Sequence, residues 1–418
     1  MSAARRRDVF AWCLYDFGAH AFYTLIVTFV FSRFFVEVIA SDYRSGTSLW
    51  ALGINISAVT VALISPILGA VADYSGRKKL FLVLFSTLAI IFTFLMYFAD
   101  KGQATRAIIL FVIANIGVEA SNVFYYAFLP EVSDNENIGR ISGLGFFSGY
   151  AGGLVSLAIG LLLLKVLPSA HHVNVRASTL FTAVWFVIFA IPMFLLVKQR
   201  GVPQRIEGGY IKHGFDRLKE TIQHARRYRE AAKLLIARMI YNDGLTTVIA
   251  MASIYLGAEL NMKLEGVLMM GVALNVFAGI GALSFGFVDD RIGGKKTILI
   301  SLIVLICATA WGVATHTVGG FWIAAIFIGL MMGPNQSASR SLLSKLSPPD
   351  KQAEFFGLYS FSGRLSSIFG PLAYGMIVAR TGDHRLAMSS ILIFFVVGGL
   401  ILLSVREEEG IKLARGEA

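Results

Sequence analysis

The sequence predicts an all-α membrane protein of twelve transmembrane helices arranged as two pseudo-symmetric six-helix bundles. Three observations predict it: apolar runs recur along the whole chain, basic residues favour alternate loops, and short motifs repeat between the two halves. Of the 418 residues, 56% are hydrophobic and 15% charged, and the mean hydropathy is +0.69, too apolar for a chain of this length folded in water. A helix needs about 20 apolar residues to cross the hydrocarbon core of a bilayer. Runs near or above that length fall at about 8–39, 47–72, 79–99, 106–130, 141–167 and 177–197, and again at about 231–258, 264–288, 297–315, 318–345, 353–380 and 387–404.

The first run follows Arg5-Arg6-Arg7 and carries Asp16 and His20. It is far longer than the about 7–15 apolar residues of a cleaved leader, so it reads as a retained first helix. The net charge of +11 is distributed as a membrane surface requires rather than as nucleic acid would. Arg5 to Arg7, Arg77 to Lys79, Arg140, the 198–233 stretch, Arg291, Lys295, Lys296, Lys345, Lys351 and the tail all fall on one side, and few basic residues fall on the other. Basic loops face the cytoplasm, which predicts cytoplasmic termini, with anionic headgroups as the partner of the basic loops. Cys13 and Cys307 both lie within apolar runs, which supports neither a disulfide framework nor a cysteine metal site. No cofactor, metal or nucleic-acid partner is expected, and a monomer is.

One long polar break, 199–230, divides the chain into an N-terminal bundle (1–198) and a C-terminal bundle (231–418). Within the break Phe215, Leu218 and Ile222 share a helical face amid Lys212, Arg217, Lys219, Arg226, Arg227 and Arg229. That pattern suits a basic helix lying on headgroups, with a solvated linker as the alternative.

The two bundles read as a duplication. GLGFFSG at 143–149 returns as GLYSFSG at 357–363. Gly69, Asp73 and Gly76, with Arg77, Lys78 and Lys79, return as Gly286, Asp290 and Gly293 with Lys295 and Lys296. Parallel repeats of this kind characterise transporters whose two bundles rock about a site near the bilayer midplane, so the expected activity is carriage of a small solute by alternating access. In the motif itself, Gly69 permits close helix approach and Gly76 accepts a positive φ. Asp73 is expected to accept from the exposed N–H groups that open the eleventh span after Ser347-Pro348-Pro349-Asp350, where the helix dipole favours a negative charge.

These residues resemble the signature of the major facilitator superfamily, G-x-x-x-D-x-x-G-R-K/R-x after the second helix with an echo after the eighth; Gly294 stands where the echo has arginine. The resemblance implies the major facilitator fold, and a gating role for Gly69, Asp73, Gly76, Arg77, Gly286, Asp290, Gly293 and Lys295 in latching the halves. Four segments, 12–31, 126–153, 236–249 and 339–364, are similar to the superfamily's vacuolar amino-acid effluxer branch, the autophagy-related type with its many bacterial members. That likeness implies an amino acid or related metabolite as solute, with export favoured. Where the branch reads like D-W-A-N-S, this chain has Asp16-Phe17-Gly18-Ala19-His20.

Ionisable and polar groups within spans are costly and mark pathways or structural pairs. Asp16 and His20 sit one turn apart in the first span. Arg238, Asn242 and Asp243 lie in the seventh. Asn115, Glu119, Asn122 and Tyr126 follow one face of the fourth. Asn335, Gln336 and Arg340 lie in the tenth, Asn335 opposite Glu119 in the duplication, and Arg364 lies in the eleventh. Two readings of Asp16 stay open: proton coupling with His20 as relay, or an ion pair with Arg238 or Arg364. Acidic groups from the first half and Arg238 and Arg364 from the second would suit a zwitterion. A sugar or muropeptide-like solute is the alternative, with Trp12, Tyr125 and Tyr126 available for stacking. A non-transporting sensor or scaffold is a reading of another class. An intramembrane aspartyl protease lacks its G-x-G-D motif here, and neither a metal-binding H-E-x-x-H nor a phosphate loop is present, so no enzyme activity is expected.

Overall fold

The computed structural model describes residues 3–199, 216, 219–221, 223 and 228–417. The basic helix expected around Phe215, Leu218 and Ile222 lies outside the described residues. Those that are described form helices joined by short turns: α1 (Arg5–Ile39), α2 (Tyr43–Ser75), α3 (Lys78–Phe98), α4 (Ala104–Ala127), α5 (Ile138–Val166), α6 (Ala170–Leu196), α7 (Arg229–Leu260), α8 (Glu265–Ile292), α9 (Gly294–Ala314) and α10 (Val318–Leu346). They are followed by α11 (Gln352–Leu365), α12 (Phe369–Thr381), α13 (His384–Leu403) and a short α14 (Glu407–Arg415).

Among the described residues eleven helices are long and apolar enough to cross a bilayer, and α11 with α12 makes the twelfth crossing in two pieces. The sequence predicts one continuous helix there, over 353–380. It breaks at Ser366 because α7 and local hydroxyls offer the backbone other partners. The Ser366 hydroxyl donates to the Gly363 carbonyl at 2.6 Å, Asn242 donates to that hydroxyl at 2.6 Å, and the Asp243 carboxylate accepts the Gly370 N–H at 2.9 Å. Such substitutes are what allow broken helices within a membrane. The first span is also irregular, widening into π-helical turns at Phe22–Phe29 and Phe35–Ile39.

Turn chemistry sets the other boundaries. Gly76 ends α2 at φ +60° with its N–H on the carbonyls of Ala72 and Asp73, a conformation that costs a residue without Cβ little. Asp42, Thr317 and Asp383 cap α2, α10 and α13, each side chain accepting a backbone N–H three residues on, which satisfies one of the donors a helix start leaves open.

The packing repeats between halves. Helix α1 lies on α5 and α6, α4 on α2 and α3, and α3 on α6; correspondingly α7 lies on α13, α10 on α8 and α9, and α9 on α13. The halves then grip each other reciprocally, α2 along α11 and α8 along α5. A Cβ on Gly69 would lie 2.1 Å from the Ala353 carbonyl oxygen, and one on Gly143 would lie 2.2 Å from that of Ala282. Close backbone approach through small residues is how helices associate in lipid, where burying apolar surface gives no drive. Both grips lie toward the side that carries the chain termini. Beyond the break, α12 packs on α13 and α7 instead, so the molecule is closed on the termini side.

Candidate functional site

Between the halves lies a cavity of about 210 Å³ lined by Glu119, Asn122 and Tyr126 of α4, Arg238 and Asn242 of α7, Gln336 of α10, and Tyr359 and Arg364 of α11. Arg364 ion-pairs with Glu119, joining the two halves across it. Arg238 is buried, with its guanidinium 3.4 Å above the centre of the Tyr359 ring and Nη1 donating to the Tyr359 carbonyl at 3.2 Å. Its Nε finds no hydrogen-bond partner among the described residues. Gln336 donates to Asn242 Oδ1 at 2.7 Å, and Asn122 donates to the Tyr23 hydroxyl at 2.8 Å. The result is one acid and two guanidinium groups within a polar, mostly protein-satisfied chamber.

Seven of the sequence-derived candidates thus converge: Glu119, Asn122, Tyr126, Arg238, Asn242, Gln336 and Arg364. The others lie elsewhere. Asn115 is buried one turn before Glu119 and does not line the cavity. Asn335 faces α9, donating to Ser301 at 3.0 Å, and so does not stand opposite Glu119 in the cavity; its neighbour Gln336, about 100° round the helix, does. Asp243 is committed to the start of α12 through Gly370. Asp16 meets neither Arg238 nor Arg364 as an ion-pair partner. It pairs with His20, Nδ1 to Oδ1 at 3.2 Å, while Arg364 takes Glu119. Trp12 and Tyr125, expected to be free for stacking, are fully buried and stacked on each other at 4.6 Å.

His20 lines a second chamber of about 360 Å³ beside Tyr23, Thr24 and Tyr150, walled by Leu154, Leu157, Ile249 and Val272. Tyr23 therefore borders this chamber and reaches Asn122 of the first. It was legible in principle, three residues beyond His20 on the same helical face. The duplicated glycines explain how both chambers fit. A Cβ on Gly149 would lie 2.4 Å from the His20 ring, and one on its counterpart Gly363 would lie 3.0 Å from Arg238 Nη1.

On the termini side, Asp73 accepts the Glu354 N–H at 2.8 Å, and Asp290 accepts the N–H groups of Gly139 and Arg140 at 2.8 and 3.2 Å. Each aspartate thus meets the opening turn of a helix from the other half. Lys78 stands between Asp73, at 3.7 Å, and Glu131, at 3.3 Å. A second duplicated feature was not anticipated. The Gln199 side chain accepts the Lys79 N–H at 2.8 Å, and Lys79 Nζ donates to the Val197 carbonyl at 2.8 Å. In the other half Glu407 accepts the N–H groups of Gly294 and Lys295 at 3.1 and 3.0 Å, and Lys295 Nζ donates to the Val405 carbonyl at 2.7 Å. A polar residue three or four positions past the last membrane-crossing helix of each bundle, α6 and α13, caps that bundle's third helix. Its only sequence signal is a polar side chain two residues after a valine, which is too slight to read unaided.

Comparison with known proteins agrees with this architecture. The family described as "Vacuole effluxer Atg22 like" matches residues 35–415. Over 406 residues the chain is 31% identical to an uncharacterized MFS-type transporter, YxiO, of Bacillus subtilis (strain 168), covering 95% of this chain and 94% of that protein. It is 28% identical over 330 residues to autophagy-related protein 22 of Yarrowia lipolytica (strain CLIB 122 / E 150), which covers 71% of this chain and 55% of that protein, about half its length. Among solved structures, the human organic anion transporter MFSD10 superposes with a TM-score of 0.76 at 12% identity, over 96% of this chain and all of that one. The proton:xylose symporter XylE does so with 0.71 at 13%, over 99% and 97%. These two establish a shared fold. With two gripping six-helix bundles, a chamber between them and a family match over nearly the whole length, the chain belongs to the Atg22-like vacuole effluxer family of the major facilitator superfamily and is a secondary transporter of the membrane.

Proposed function

We propose that this transporter moves a small zwitterion, an amino acid or close relative, by alternating access, and that Asp16 and His20 couple the movement to protons. The observation that carries the solute reading is the Glu119–Arg364 pair spanning the halves inside the 210 Å³ chamber. A zwitterion replaces each partner of that pair with its own opposite charge, the ammonium on Glu119 and the carboxylate on Arg364 or Arg238, and so leaves no buried charge uncompensated. The chamber lies below the about 300–1,000 Å³ of drug-sized sites, which favours a small solute over a muropeptide. A stacked sugar is disfavoured because Trp12 and Tyr125 are occupied by each other.

Asp73 and Asp290, with Gly69, Gly76, Arg77, Gly286, Gly293 and Lys295, act as the latch of the termini-closed state. Export fits the family's description as an effluxer, and a bacterial plasma membrane with cytoplasmic termini fits the YxiO likeness and the basic loops. One chain supplies both bundles and the whole chamber, as a working monomer requires.

The test is flux of labelled amino acids, sugars and organic ions in proteoliposomes, with and without a pH gradient. Saturable movement of a zwitterion, reduced at least tenfold by Arg364→Ala, is expected. Movement of sugars alone would overturn the solute assignment, and undiminished gradient-driven flux in Asp16→Asn would remove the coupling role.

A further inference from the structure

Arg340 is fully buried and belongs to α10 of the second half, yet its recorded partners belong to the first. Its guanidinium carbon lies 4.2 Å from the centre of the Phe146 ring, 4.9 Å from that of Trp12 and 5.0 Å from that of Tyr126. Nε donates to the Ser142 hydroxyl at 3.0 Å and Nη2 to the Ser142 carbonyl at 2.7 Å. The same hydroxyl donates back across the interface to the Ser337 carbonyl at 2.8 Å. Gly145 leaves the space, since a Cβ there would lie 2.5 Å from the Trp12 ring and 3.0 Å from Arg340 Nη2. Among the described residues no carboxylate pairs with this cation, and Nη1 has no hydrogen-bond partner.

A buried guanidinium without a counter-ion is costly, and a residue serving only the fold of its own bundle would bind within that bundle. We infer that Arg340 is a cross-half lock: its insertion into an aromatic cage of the N-terminal bundle holds the termini side shut, and each transport cycle must withdraw it. This rests on the alternating-access reading. The cage suits a guanidinium specifically, because a flat cation can stack on several ring faces while its edge donates two directed bonds. A lysine can offer neither together. Withdrawal returns the unpaired Nη1 and the charge to water, so the closed state is poised rather than permanent. Glu119–Arg364 crosses the same interface with opposite charges that a zwitterion can replace. The Arg340 cage shares the Tyr126 and Phe146 rings with the chamber but holds no carboxylate for a solute's ammonium to replace, and so sets the resting balance between states.

Two spin-label pairs on the full-length protein in liposomes read that balance without solute. One joins Glu136 to Arg291 across the termini side, and the other joins Lys101 to His316 across the far side. In Arg340→Ala the long-distance population of the first pair is expected to rise at least tenfold, with the second pair shortening. Arg340→Lys should show most of that change, and Ser142→Ala and Phe146→Leu, placed in the other half, should each give a smaller shift of the same sign. Unchanged distances in folded Arg340→Ala, or loosening of both pairs together, would overturn the lock. If Arg340→Ala does not fold, Ser142→Ala and Phe146→Leu decide by the same criteria. Flux measured on the same proteins separates the two readings, because absent wild-type flux counts against transport while the distances alone decide the lock.

Discussion

Glu119 and Arg364 come from different bundles, so neither bundle needs the pair to fold, but each residue needs the other once the halves are closed. Removing one leaves its partner's charge unpaired between the halves, which for a fully buried pair costs about 3–5 kcal/mol. Here the Arg364 side chain stays 32% exposed, so about 1–2 kcal/mol is expected for Glu119→Gln or Arg364→Gln alone, after allowance for solvent screening. The double variant should be more stable than the sum of the singles predicts, a coupling that thermal unfolding of the four proteins in detergent would reveal. The residue scale also shows what sequence could and could not tell. The polar face of α4 was legible because 3.6-residue spacing is a property of one helix, and three of its four members line the chamber. Asn335 faces α9 rather than the chamber because the tenth span carries polar groups on several faces. Which face meets which neighbour is then decided by the docking of two bundles, which no local pattern records.

At the scale of elements, the break between α11 and α12 gives Asp243 a capping contact, and we propose that it serves the helix start rather than the solute or proton pathway. Its carboxylate satisfies the N–H of Gly370, so Asp243→Asn, which keeps an acceptor oxygen, should preserve most transport, whereas Asp243→Ala should cost about 1–2 kcal/mol of stability. Near-complete loss of pH-driven flux with unchanged stability in Asp243→Asn would return this residue to the proton pathway. The end of α13 offers a sharper comparison, because the duplication supplies its own control. Gln199 caps α3 where Glu407 caps α9, so Glu407→Gln should retain the cap and Glu407→Ala should lose about 1 kcal/mol. Protease cleavage within α14, timed for the three proteins, would rank them. The twelve crossings were legible from hydropathy, since lipid demands long apolar runs wherever a chain crosses it. The break was not, because Ser366 and Ser367 sit unobtrusively in an apolar run and the groups that unwind it come from α7.

For the whole molecule, the duplication means that the termini side is closed twice, by two interfaces built alike. Asp73 takes one N–H of the α11 opening turn and Asp290 takes two of the α5 opening turn, and in both the dipole of the capped helix favours the charge. Asparagine retains an acceptor but no charge, and a carboxylate at a partly buried helix start contributes about 0.3–2 kcal/mol. About 1 kcal/mol alters a two-state ratio about fivefold, so Asp73→Asn and Asp290→Asn should each raise the termini-open population by roughly that factor. Because the two interfaces lie on different helix pairs, α2 with α11 and α5 with α8, their free energies should add and the double variant should approach the product of the singles. A single cysteine at Ser360, which lines the chamber, reports the opening once Cys13 and Cys307 are replaced by serine. Its alkylation by a membrane-impermeant reagent applied from the termini side should accelerate in the same proportions. A double variant no faster than Asp290→Asn alone would mean that the second interface opens only after the first, and that the halves part in sequence rather than as rigid bodies.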